Sequence, residues 1–118
     1  MTEVLEETVL EVPFTRPDTT VAKETEVTLY ELSPLSGKVA NITLHYPNGC
    51  NSLVEIICYI NQIQVLPITG VIALNDATVT FPVDRSVRRG DNLRVKIANK
   101  DTVNEHTPSV IWELRGIP

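Results

Sequence analysis

"KVANITLHY", Lys38–Tyr46, decides the fold, because apolar Ala40, Ile42, Leu44 and Tyr46 alternate with polar Asn41, Thr43 and His45. A period of two puts one set inward and the other outward, which is a half-buried strand and not a helix. His45 then stands on the outer face, close to the turn that follows. That turn, "PNGCNS" from Pro47 to Ser52, has the strongest reversal chemistry in the chain, since Asn48-Gly49 tolerates the positive φ of a tight turn.

The same alternation recurs on both sides. "TVLEVPF" sets Leu10, Val12 and Phe14 on one face, and "EVTLYEL" gives a second strand before the turn "SPLSG". "LVEIICYINQIQVLP" reads as a hairpin in which Val54, Ile56 and Cys58 point one way and Asn61-Gln62 reverses the chain. Pro67 ends its second strand or places it at an edge. "GVIAL", "ATVTFPV", "NLRVKIAN" and "SVIWEL" supply further strands, while "DRSVRRGD" and "KDTVNEHTP" suit connections that cross between sheets.

About nine short strands with turns between them, and no stretch of helical period, predict an all-β protein. The expected form is a single antiparallel β-sandwich or jelly-roll-like domain over 25–118, preceded by an extended, acidic N-terminal arm and linker over 1–24. The linker is "FTRPDTTVAKET", punctuated by Pro17 and a Thr/Asp cluster. At 118 residues such a domain can bury roughly 65% of the surface of its unfolded chain, enough for a core without staples. Trp112 is expected in that core or half-buried, with its N–H paired.

Cys50 and Cys58 are eight residues apart, about 26 Å if both lie on one extended stretch, too far to bridge. Free thiols are expected, Cys58 buried. No window has the roughly 18 apolar residues of a membrane span, and "MTEVLEETVLEV" lacks the parts of a signal peptide. The expectation is a soluble protein made in a cytoplasm, without a membrane partner.

Dense polar stretches invite a chemical reading. "NKDTVNEHTP" gathers Asn99, Asp101, Asn104, Glu105 and His106, and His45, Cys50, Cys58 and His106 together would be a zinc set. Neither follows zinc spacing, nor does the first follow a calcium loop. Asn and Asp here read better as turn formers that bond their own backbone, with Asp101 the expected side-chain partner of His106. No serine elbow and no fixed carboxylate pair is present. The chain is therefore expected to be no enzyme, with no catalytic residue, metal or cofactor.

Charge gives the remaining lead. The net charge is −5, yet residues 1–31 carry eight acids against two bases, and residues 32–118 carry seven acids against eight bases. Arg85, Arg88, Arg89, Arg94, Lys96 and Lys100 form the basic concentration, with Arg94 and Lys96 projecting from one strand face. Nucleic acid is not expected there, because stacking aromatics are missing from that stretch and the whole chain is acidic. A solvated face comes first and a dock for an acidic segment second. The first 14 residues could supply that segment, adding either to their own sheet or to a neighbour's edge. Leu10, Val12, Phe14, Arg85, Arg88, Arg89, Arg94 and Lys96 are thus the candidate interaction residues.

"YPNGCNSLVEIICYINQIQVLPITGVIALNDATVTF" and "VKIANKDTVNEHTPSVIWEL", within residues 46–114, resemble small β-sandwich proteins from virion-structure genes of tailed bacteriophages and related viruses. The resemblance lies in an aromatic-Pro-x-Gly-Cys turn, a Leu-Val-x-Ile strand, a hairpin ending in proline and an Asn-x-Asp-x4-His-Thr stretch. Asn61-Gln62 departs from it, standing where a glycine-rich turn is common. The resemblance implies a non-enzymatic virion component, a capsid decoration or head-tail accessory protein, assembling as a homo-oligomer or on a capsid through its arm and sheet edges. The alternative is a carbohydrate-binding module, for which Tyr46, Tyr59 and Trp112 are the aromatic candidates.

Overall fold

A computed structural model describes residues 7–14 and 20–118. Eight strands follow in order: β1 (Thr8–Phe14), β2 (Thr25–Leu32), β3 (Ser36–Tyr46), β4 (Val54–Ile60), β5 (Ile63–Leu66), β6 (Ala77–Val87), β7 (Asn92–Asn99) and β8 (Ser109–Ile117). They make two four-stranded sheets, β1-β8-β3-β6 and β2-β7-β4-β5, with every pairing antiparallel. There is no helix among the described residues. The protein is an all-β sandwich.

Alternation builds the core directly. Inward residues of both sheets, among them Ile42, Leu44, Tyr46, Ile56, Leu93, Ile97, Trp112 and Leu114, are wholly buried, and the Phe14 ring meets Trp112 at 6.5 Å between centroids. Fully burying such a side chain is worth about 1.5–3 kcal/mol, so this layer is the main source of stability. The Trp112 indole N–H, expected to be paired, finds no acceptor among the described residues.

Three expectations give way. Eight strands form in place of about nine: "GVIAL" adds only an isolated bridge, Ile72 to Ile56. In β3 the residue turned inward before Ile42 is Val39 and not Ala40, because a bulge between Val39 and Asn41 inserts a residue and shifts the alternation. "DRSV" does not lie in the connection but continues β6 to Val87, past Asp84 at φ 51°. The reversal into β7 is then a tight turn, closed by the Arg88 amide donating to Asp91 Oδ2 at 2.8 Å.

The segment ahead of residue 25 contributes to the same body. β1 pairs with β8 along its whole length, Thr8 opposite Gly116 to Phe14 opposite Val110, and Val21 is fully buried. Met1–Glu6 and residues 15–19, which belong to the expected arm and linker, lie outside the described residues. Both crossovers do pass between sheets: β6 to β7, and β7 to β8 through residues 100–108.

Candidate functional site

The dense polar loop closes on itself. Asn99, almost wholly buried at the end of β7, donates through Nδ2 to the carbonyls of Val21 and Asn104 at 3.0 Å each, and its Oδ1 accepts from the Asp101 amide at 2.9 Å. Asp101 Oδ1 takes the amides of Val103 and Asn104 at 2.9 and 3.2 Å. Its other oxygen lies 2.8 Å from His106 Nε2. The hydrogen bond from His106, then the Val103 amide, hold the Asp101 carboxyl down from 3.8 to about 2. An ionised carboxylate only accepts, so Nε2 carries the proton of this contact.

His106 also pairs backbone to backbone with Val21, and Glu24 N donates to Asp101 O at 3.1 Å. The loop therefore clasps residues 20–24 as they enter β2. Its Asx geometry and the Asp101–His106 contact are as the sequence predicts. Among the described residues no group of three His, Cys, Asp or Glu could hold a metal ion.

The thiols are equally enclosed. Cys50 and Cys58 are free and buried, and burial pushes both thiols up, with Asp101 adding to the effect at Cys50. Burial likewise raises the Tyr46 hydroxyl, with the neighbouring Cys58 and Cys50 adding to it. A reactive cysteine needs a stabilised thiolate at an accessible place, and neither residue has one.

A different surface assembles on the outer face of β2-β7-β4-β5. Register sets Tyr30 of β2 opposite Arg94 of β7, and Arg94 opposite Tyr59 of β4. The guanidinium carbon lies 4.7 Å from the Tyr59 ring centre and 5.8 Å from that of Tyr30. Arg94 Nη1 donates weakly to Asn61 O and Gln62 Oε1 at 3.4 and 3.3 Å, and its buried Nε has no partner among the described residues. No carboxylate bridges it among the described residues, whereas Lys96, two residues along the strand, meets Glu26 at 3.6 Å. Tyr30 and Leu32 remain largely exposed, at 58% and 63%.

The aromatics expected to be missing beside the basic residues thus stand on either side of Arg94. They come from strands distant in sequence, and only the strand order brings them in. The basic concentration itself is divided. Arg94 and Lys96 share this outer face as expected, Arg85 belongs to β6 in the other sheet, and Arg88 and Arg89 lie in the exposed turn between them. Leu10, Val12 and Phe14 pack against the core from β1. Of the aromatic candidates for a sugar platform, Tyr46 and Trp112 have no exposed surface, which leaves Tyr59 and adds Tyr30.

The four sheet edges also differ. β1 holds Pro13, β6 holds Pro82 and the positive-φ Asp84, and β5 is only Ile63–Leu66 before Pro67. Each carries a device that discourages another strand from pairing. β2 runs Thr25–Leu32 without proline and in unbroken register with β7. Among the described residues no strand pairs with its outer backbone edge.

No family model and no curated protein matches the chain. Among solved structures, an exo-β-1,3-galactanase from Phanerochaete chrysosporium with galactose is similar at 11% identity and TM-score 0.41, over 92% of this chain and 30% of its own. A family two carbohydrate esterase from Cellvibrio japonicus is similar at 12% identity and TM-score 0.41, over 96% of this chain and 36% of its own. The crystal structure of FlhE is similar at 13% identity and TM-score 0.51, over 92% of this chain and 97% of its own, a likeness of fold alone.

Proposed function

We propose that this chain is a non-enzymatic interaction protein that assembles with other protein through a sheet edge, and that β2 is the edge it uses. The observation that carries this reading is the contrast among the edges: three are blunted and β2 is long, regular and open. An open edge presents a row of unpaired amides and carbonyls, which an incoming strand satisfies by extending the sheet. Exposed Tyr30 beside it, with Arg94 behind, adds the two residue types enriched at interface hot spots, and exposed Leu32 adds apolar surface. A repeating assembly such as a virion shell, the setting that the bacteriophage resemblance implies, is where such a module would serve.

The test is the mass of the purified full chain by light scattering across concentration. A species heavier than the 13.1 kDa monomer that dissociates on dilution is expected. A 13.1 kDa species at every concentration, with the β2 amides that face away from β7 exchanging as fast as those of a loop, would remove this reading.

One observation favours a carbohydrate-binding module as the second reading: Tyr30 and Tyr59 share an open face with Arg94, offering rings and donors together. Glycan-array binding that disappears in Tyr30→Ala would support it.

A further inference from the structure

We infer that the strand received by β2 is β2 of a second copy, paired antiparallel about a two-fold axis that passes through Thr28. This rests on the open-edge reading above and names its occupant. The argument comes from register. On β2 the even-numbered residues Glu26, Thr28, Tyr30 and Leu32 face outward, and Val27 and Leu29 face the core. Antiparallel partners directly opposite one another share a face, so an even residue meets an even one and an odd an odd. Two two-fold registers overlap nearly the full strand: one centred on Thr28, covering Thr25–Glu31, and one centred on Leu29, covering Glu26–Leu32.

Their chemistry differs sharply. Centring on Leu29 sets Glu26 opposite Leu32 and Val27 opposite Glu31, so both carboxylates of the strand confront apolar side chains. Centring on Thr28 sets Glu26 opposite Tyr30, Thr25 opposite Glu31, Val27 opposite Leu29 and Thr28 opposite itself. Glu26 then meets the Tyr30 hydroxyl, which can donate to it, Glu31 meets polar Thr25, whose own hydroxyl proton goes to Ala22 O at 2.7 Å, and the core-facing apolar residues meet each other. Cross-strand pairs of this kind are the unit of sheet stabilisation, and a carboxylate against an apolar neighbour loses water, which at Glu26 only the Lys96 contact at 3.6 Å offsets.

Charge beyond the edge agrees. Tyr30 is flanked on its inner side by Arg94, which no carboxylate bridges among the described residues. In the Thr28-centred register, Glu26 of the second copy approaches that same row from the other side. Each two-fold pair makes this contact twice, and the two sheets join into one of eight strands. The interface is isologous and closes at two copies.

The experiment is disulfide trapping in the full chain under diamide, with the mass read by light scattering. Native Cys50 and Cys58 have no exposed surface and do not compete. Thr28→Cys places a thiol on the axis and is expected to give a covalent dimer of twice 13.1 kDa. Tyr30→Cys, on the same outer face, places two thiols on the order of 14 Å apart along the strands and is expected to stay uncrosslinked. Tyr30→Phe removes the hydroxyl from both symmetric contacts and is expected to weaken the unlinked dimer about tenfold or more. Trapping of Tyr30→Cys without Thr28→Cys, or an assembly in which neither traps, overturns this pairing while edge assembly itself stands. A wild-type chain that stays monomeric at all concentrations, with neither variant trapping, overturns both.

Discussion

Two polar clusters in this protein invert what their sequences suggest. The loop Asn99–His106 is dense in ligand-type side chains, yet every one of its buried polar contacts ends on another group of the same clasp. The row Tyr30–Arg94–Tyr59 is scattered over three strands, yet it leaves a guanidinium with only long contacts on an open face. Polar density along a chain marks self-satisfaction as readily as function. What separates the two is whether the hydrogen-bonding capacity is already spent, and only the fold tells that.

The sharpest way to break this contrast is Asn99→Ala. Asn99 is 1% exposed and holds two carbonyls and one amide with a single side chain. Truncation strands the buried Asp101 amide at about 1–3 kcal/mol and removes two further hydrogen bonds of about 0.5–1.5 kcal/mol each, to Val21 O, which keeps the His106 amide, and to the exposed Asn104, so a total loss of about 3 kcal/mol is expected in denaturant unfolding. A loss below about 1 kcal/mol would show that the clasp is not structural.

Asp101→Asn should come next and should change the pH profile as well as the stability. The folded carboxyl titrates at about 2 against 3.8 for the free group. A depressed folded value means that the contribution is fully present above about pH 4 and is lost as pH falls toward 2. The amide of the variant turns a donor toward His106 Nε2 or forces the ring to its other tautomer. Unfolding measured from pH 7 down to pH 2 should therefore show a less stable variant that lacks this acid-dependent loss; an unchanged acid limb would place the dependence on other carboxylates.

These particulars show what a sequence of this kind discloses. β1 and β7 stand where "TVLEVPF" and "NLRVKIAN" put them, because alternation is a local consequence of burying one face. The Asp101–His106 contact was equally legible, since its partners lie five residues apart in one loop. The bulge beside Ala40 and the continuation of β6 past Asp84 were not, because each depends on what the neighbouring strand requires of the backbone. The Tyr30–Arg94–Tyr59 row was least legible of all. It needs the order β2-β7-β4, and nothing in any one strand announces its neighbours.

Arg94→Ala carries the smallest effect on the fold and the most information about the face. Two cation–π contacts at a partly solvated site are worth about 0.5–1 kcal/mol each, and the long polar contacts add little. The stability change in urea unfolding should stay at about 1–2 kcal/mol, under that of Asn99→Ala. The same variant should weaken self-association, because it removes the positive charge behind Tyr30 that favours an approaching carboxylate. A variant that loses stability like Asn99→Ala while associating normally would make this row a second clasp, and the contrast between the two clusters would collapse. Loss of association with the fold retained would instead tie the exposed row to the open edge as one working surface.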